Sequence, residues 1–496
     1  MEEQQAGWKS KDDDIGEALS IKTKGRGQGQ DKAKSPEFRM AVEKELGTTG
    51  AEGGSPELSS HLWYERMSRV IPWGSSTCSK APVLIPEEPG VIVRGNGCRV
   101  WDMDGKEYID FRNGLGPVTL GYRYPAVDDA IRAQLDSGIS FGHPHPLEGE
   151  VAEMLCELIP CAEQVRFMKT GGEAIAAAIR LARHYTGRDH IVQVGYNGWL
   201  NSLAAGGSQL PGQSAPAVPG VPRELSSLHH AAGWNDLPAL ERLFAEYNGQ
   251  IAAVVVAADY ANMEQGRTYY PALRELTRKH GSLLIFDEIV TGFRIALGGV
   301  QQYFDTIPDL AVYSKGLANG MPLSVFAGRK EVMACCDRGG TVISSTFGGE
   351  TLSLAAAKAC INTYVEHDVV DHLWHWGEKL WSGLNRMFEQ HDIPLEVRGF
   401  WPCPAIVLRS GQKALLHNEG GRQASGDQGG RSSGRERADV SREELKERFF
   451  RFAYKHGLSL YNVSYVNFSH REQDIVEALS RMERVCTDLK EWRDGR

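Results

Sequence analysis

The chain has 496 residues, 41% hydrophobic and 24% charged, which is enough to bury a large core; such a length implies roughly two to four domains. Its formal net charge is −9, with Lys+Arg 55 against Asp+Glu 64 and no long basic run, which argues against a nucleic-acid partner or an anionic membrane surface. No apolar run approaches the roughly 18 residues of a membrane-spanning helix.

Residues 1–57 are rich in Gly, Lys, Glu, Gln and Ser and poor in periodic apolar residues, so a disordered tail is predicted there. The opening MEEQQAGWKSKDDD lacks the apolar core of a secretory signal and is too acidic for an ordinary transit peptide, so a cytoplasmic location is expected. The nine cysteines are scattered without a CxxC pair and read as reduced structural thiols, and no metal site is expected. His143-Pro144-His145 reads as a loop at a substrate mouth rather than a ligand pair. Residues 58–118 form an N-terminal segment in which 91–111 read as short strands turning at Asp104-Gly105. Two amphipathic helices follow, over 126–136 and 147–159. Then come the strand QVRFMK, a helix over 173–185, strands over 190–195 and 251–257, a helix over 271–280, and strands over 283–287 and 310–314. The late strands are continuous apolar runs, as expected of strands covered by helices on both faces. The fold class predicted for residues 119–362 is therefore α/β, with a mostly parallel sheet in a large domain. Residues 363–496 read as a smaller α+β domain, with helices around 371–390 and 441–456, short strands in LSLYN and YVNFSH, and a low-complexity loop at about 410–439.

Ligands of open α/β sheets bind beyond the carboxyl ends of the strands, and four polar features fall at such ends. Thr170-Gly171-Gly172 joins a strand to a helix, where free N–H groups and a positive dipole end can hold an anion. Tyr196 follows the 190–195 strand and can stack on a flat ring. Asp287 closes LLIFD, where an unpaired carboxylate would be costly and a protonated pyridine nitrogen would be its natural partner. Lys315 follows the 310–314 strand and can form an imine with an aldehyde once burial makes its amine nucleophilic. Singly, each has a plain alternative: a βα turn, a rim aromatic, a carboxylate paired with Arg294, a surface lysine. Together they are the handles that pyridoxal 5'-phosphate requires.

At this point a family resemblance emerges. WDMDGKEYIDF, AIRLARHYTGRD, LLIFDEIVTGFR, PDLAVYSKGLANGMPL and STFGGETLSLAAA resemble class III (fold type I) pyridoxal-phosphate-dependent aminotransferases, especially the glutamate-1-semialdehyde 2,1-aminomutase-like branch. The resemblance covers about 300 residues from Leu62 to Tyr364 and continues more loosely through KERFFRFAYKHGLSL. It implies Lys315 as the Schiff-base lysine and proton shuttle, Asp287 as the partner of the pyridine nitrogen, and Tyr196 as the stacking aromatic. It further implies a phosphate cup including Thr170, Gly171 and Gly172, and Thr346 reaching the phosphate of a neighbouring subunit, hence a homodimer with active sites at the interface. Asn262 is placed near the cofactor's phenolic oxygen. The chain departs from the family at Gly172 (a threonine), Asn197 (a histidine), Ala257-Ala258 (Glu-Pro), Leu115 (the aminomutase's tryptophan) and Thr346–Leu352 (Gly-Thr-Leu-Ser-Gly-Asn-Pro). Those departures favour a transaminase that passes an amino group from an amine donor to a keto-sugar or a keto or aldehyde acid. Alternatives are intramolecular aminomutase transfer and a cofactor-binding homologue without turnover. A nicotinamide enzyme is disfavoured because no GxGxxG follows a strand.

Overall fold

A computed structural model describes residues 59–198, 220–409 and 442–495. The predicted tail 1–57 and the low-complexity loop at 410–439 lie outside the described residues. Helix α1 (Ser60–Ser68) precedes a small sheet built from β1 (Ile92–Asn96), β2 (Arg99–Asp102) and β3 (Glu107–Asp110). The turn at Asp104-Gly105 is where it was expected, with Gly105 at φ 82°. Helices α2 (Pro125–Leu135) and α3 (Pro146–Leu158) follow, each with proline in its first turn, where the missing N–H costs nothing. His145 is the N-cap of α3: its Nδ1 accepts the Leu147 N–H at 3.2 Å.

The central layer begins with β4 (Gln164–Met168) and α4 (Gly171–Thr186), then β5 (His190–Val194), β6 (His229–Ala232), α5 (Leu237–Glu246), β7 (Ile251–Ala257), α6 (Gly266–Lys279), β8 (Leu283–Asp287), β9 (Leu310–Tyr313) and β10 (Ser324–Gly328). Its strand order is β4-β10-β9-β8-β7-β5-β6, and only β10 runs against the others. All of β7 is buried. Ala253 and Val255 pack with Ala178 and Ile179 of α4, while Val254 and Val256 pack with Tyr270 and Leu273 of α6. Covering on both faces is why this strand reads as an unbroken apolar run.

The expected α4 and α6 both begin earlier than their apolar spacing suggested. Thr170 caps α4 by accepting the Glu173 N–H, and Glu173 returns the bond to the Thr170 N–H at 2.8 Å, so both glycines join the helix. In α6 Pro271 lies inside the helix rather than at its start. That sacrifices one backbone hydrogen bond, and the buried Tyr269, Tyr270 and Leu273 hold the segment helical.

The C-terminal part contains α7 (Thr351–Glu366), α8 (Val369–Gln390), β11 (Leu395–Arg398), β12 (Ala405–Leu408), α9 (Arg442–Lys455), β13 (Leu458–Ser459) and α10 (Glu472–Asp494). Strand β13 pairs with β3, so the two ends of the described chain share one sheet. Arg99 of β2 reinforces the join through Asp474 at 2.8 Å and Glu477 at 2.7 Å, both on α10. The expected strand in YVNFSH is absent. That segment instead bonds residue by residue to the loop after β3, through Tyr465 N–H to Phe111 O (2.7 Å) and Phe468 N–H to Thr119 O (2.8 Å).

Candidate active site

Because β4, β5, β7, β8 and β9 run the same way, their carboxyl ends open on one edge of the sheet. Asp287 is the last residue of β8 and sits in register with Ala257 of β7 and Val312 of β9. Lys315 follows β9 at φ 48°, in the left-handed region that a non-glycine residue enters at a cost of about 1–3 kcal/mol. Such strain is tolerated where surrounding structure dictates it, and here the buried Gly316-Leu317-Ala318 turn does so.

The Asp287 carboxylate accepts the Ile289 N–H at 3.1 Å and the Asn197 side-chain amide at 3.3 Å. No lysine, arginine or histidine forms an ion pair with it among the described residues. Burial pushes its pKa up to about 6, against the pull of those two donors and the more distant Lys315 ammonium. Lys315 is shifted in the complementary sense. Burial and then the Arg294 cation bring its amine down to about 8, with Asp287 opposing. The pairing of Asp287 with Arg294, the alternative that their sequence proximity offers, does not occur. Arg294 turns away, donating from Nε to Val290 O at 2.8 Å and from Nη2 to Gly116 O and Thr119 Oγ1. Buried Glu288, between Asp287 and Arg294 in the chain, instead ties this segment to the helical turn at 300–301, accepting the Val300 N–H at 2.8 Å and the Gln301 N–H at 3.0 Å.

Tyr196 is 62% exposed, and Asn197 beside it is fully buried. Burial first, and then the nearby Asp287 carboxylate, raise the Tyr196 phenol. Thr170 is exposed at the start of α4, where Gly171 and Gly172 are first-turn residues whose N–H groups have no intrahelical acceptor. A Cβ at Gly171 would meet Ile289 Cδ1 at 2.4 Å, so this helix start lies against the turn that follows Asp287. Asn262 lies beyond β7, its amide donating to Asp259 at 2.9 Å and its oxygen accepting from Arg398 at 3.3 Å. Thr346 is exposed in the loop before α7 and has no hydrogen bond to this cluster. The structure thus gathers Asp287, Lys315, Tyr196 and the α4 start, and leaves Asn262 and Thr346 without a hydrogen bond to them.

Three contributors escaped the sequence reading. Asn197 was seen only as a departure from a motif. Arg398 and Tyr465 lie in the C-terminal part, far along the chain, and no local pattern marks them. An anionic group without a cation, an amine of lowered pKa, an open aromatic face and a helix start with free N–H groups together suit a flat, phosphate-bearing pyridine aldehyde.

The family model for aminotransferase class-III matches residues 85–407. A protein of Desulforamulus reducens named glutamate-1-semialdehyde 2,1-aminomutase is 37% identical over 332 residues, covering 66% of this chain and 77% of that one. Glutamate-1-semialdehyde 2,1-aminomutase 2 of Lachnoclostridium phytofermentans is 32% identical over 434 residues, covering 85% and 97%. An omega-transaminase structure from Sphaerobacter thermophilus superposes with a TM-score of 0.74 at 25% identity, covering 88% and 98%. The chain belongs to the class III aminotransferases, enzymes whose cofactor is pyridoxal phosphate.

Proposed function

We propose that this enzyme transfers an amino group from a small amine donor to a separate carbonyl acceptor, a keto-sugar or a keto or aldehyde acid, with Lys315 as the acting base. The observation that carries the proposal is the placing of Asp287 and Lys315 at the ends of neighbouring parallel strands, the carboxylate without a cationic side chain in ion-pair contact. When bound, the cofactor supplies an electron sink that makes the substrate carbon bearing nitrogen acidic. Lys315 Nζ takes that proton and returns it further along the bound molecule. With a pKa of about 8, an appreciable fraction of the amine is neutral near pH 7. Asp287 would hold the protonated pyridine nitrogen, Tyr196 would lie against the ring, and Thr170, Gly171 and Gly172 would bind the phosphate. Asn262 serves the phenolic oxygen.

Thr346 reaches the phosphate of a second copy, so the working unit is a homodimer. The exposure of Phe347 (60%), Val342 (75%) and Phe141 (51%) supports this reading. The 138–139 backbone that leads to Phe141 lies against the start of α7, accepting from Thr351. Exposed apolar side chains in one region mark a protein interface. The same proposal places the enzyme in the cytoplasm and divides it into the segments 58–118, 119–362 and 363–496. No helix among the described residues is long and apolar enough to cross a membrane.

A second reading, intramolecular transfer on glutamate-1-semialdehyde, is favoured by the names of the two relatives. The test is the visible spectrum of wild type and Lys315→Ala after loading with pyridoxal phosphate, titrated with a panel of amines. A band that needs Lys315 and is bleached by one donor class supports the transaminase. Isomerisation of the semialdehyde with no second substrate supports the aminomutase. A wild-type protein that stays colourless defeats both.

A further inference from the structure

Arg294 is fully buried and has no carboxylate partner among the described residues. Its hydrogen bonds go to two backbone carbonyls and one hydroxyl, and its Nη1 is buried with no acceptor at all. The guanidinium face lies 4.6 Å from the Tyr465 ring centroid. An arginine keeps its proton even when buried, so this is a permanent charge in a region of low dielectric.

Its bonds converge on Lys315. Gly116, whose carbonyl Arg294 holds, sits at φ 101°, and a Cβ there would lie 3.5 Å from Lys315 Cδ and 3.2 Å from Tyr465 Cζ. Thr119, which accepts from Arg294 at 3.1 Å, would be 2.8 Å from a Cβ on Gly316, the residue after the lysine. Gly316 is pinned from its other side by the Tyr364 hydroxyl, which donates to its carbonyl at 3.0 Å. The Arg294 side chain therefore holds the loop after β3 and the Tyr465 ring together, and that loop in turn packs against Lys315 and the turn that carries it.

We propose that Arg294 is a positioning residue for Lys315, a buried cation without a counter-charge that both braces the lysine's surroundings and sets the charge its amine experiences. This deepens the transaminase proposal and rests on Lys315 being its amine. The other charged or titratable groups facing the lysine are Asp287 on β8, which favours its ammonium form, and the Cys403 thiol before β12 and the Tyr465 phenol, both held neutral by burial. Arg294 is the one cation among them. Its physical effect is to raise the neutral fraction of the amine near physiological pH, ready to add to an aldehyde or to accept a proton.

The test is competitive amine labelling of full-length protein freed of cofactor, read at the Lys315 peptide by mass spectrometry across pH 6–11. Wild type should show a labelling midpoint near pH 8. Arg294→Gln, checked for fold by circular dichroism, should move the midpoint upward by about one unit, leaving roughly tenfold less reactive amine at neutral pH. Arg294→Lys, which keeps the charge, should restore it. An unmoved midpoint in a folded Arg294→Gln protein overturns the proposal and reduces Arg294 to a clamp. Should the Gln variant not fold, Arg294→Lys decides: a retained midpoint supports the proposal, and a one-unit rise despite the kept charge overturns it. Labelling needs neither cofactor nor turnover, so its failure is distinguishable from failure of the transaminase reading.

Discussion

Asn197 Nδ2 donates to Asp287 Oδ2 at 3.3 Å, linking the carboxyl end of β5 to that of β8. The bond helps keep the carboxylate ionised against burial, and an ionised Asp287 is what holds a protonated ring nitrogen. Asn197→Ala should therefore weaken pyridoxal-phosphate retention by about 1.5–3 kcal/mol, the worth of a hydrogen bond to a charged group. Equilibrium dialysis reads this directly, and an unchanged affinity would show that Ile289 N–H alone suffices.

Asp287→Asn should separate stability from function. The folded-state pKa of Asp287 is raised by burial from 3.8 to about 6, so its contribution to stability is full below pH 4 and is lost as pH rises through 6. The cofactor-free Asn variant should consequently be more stable than wild type above pH 6, by about 1–3 kcal/mol, yet bind cofactor more weakly and turn over far more slowly. Thermal melts of the cofactor-free proteins at pH 4 and pH 7.5 check it: the difference should appear only at the higher pH.

Glu350 ties the Thr346 loop to the start of α4. It caps α7 by accepting the Leu352 and Ser353 N–H groups at 2.9 and 3.1 Å, and it pairs with Lys169 at 2.6 Å. Burial pushes its carboxyl up, but Lys169 and Ser353 overcome that and leave its pKa below the usual value. The associated stability is present above the ordinary carboxylate range and lost as pH falls through it. Glu350→Ala should cost about 2–4 kcal/mol, from a lost cap and a largely buried ammonium that keeps Pro322 O (2.9 Å) and Ser353 Oγ (3.1 Å) but loses its counter-charge. Urea denaturation of this variant beside Lys169→Met/Glu350→Ala tests the argument, because removing the stranded charge should recover part of the loss.

Gly399 permits the approach of β11 to the loop carrying Asn262. At φ 95° a Cβ would fall 1.6 Å from Tyr260 O, a backbone atom that cannot swing aside. Gly399→Ala should destabilise the protein by about 3 kcal/mol or more and disturb the Arg398–Asn262 contact. A variant with wild-type melting temperature would show that the loop is free to move away.

Strands β4, β5, β7, β8 and β9, helices α4 and α6, and the polar residues ending β4, β5, β8 and β9 were legible in the amino-acid order, whereas β6, β10 and α5 were not. Apolar runs and 3.6-residue periodicity are local signals, and a parallel sheet then sends all those ends to one edge. Thr170, Tyr196, Asp287 and Lys315 needed no more than that, together with the family resemblance, to be singled out. What only the tertiary structure decided is the environment of each charge. Arg294 lies close to Asp287 in the chain, yet its guanidinium is captured by Gly116, Thr119 and the Tyr465 ring, which approach from distant parts of the sequence. Likewise the strand pattern in YVNFSH yields to separate bonds with the loop after β3, and β13 joins the N-terminal sheet. Hydrophobic periodicity reports which face a residue turns to the core. Which buried charge meets which partner depends on long-range packing and desolvation, and these have no local signature in the chain.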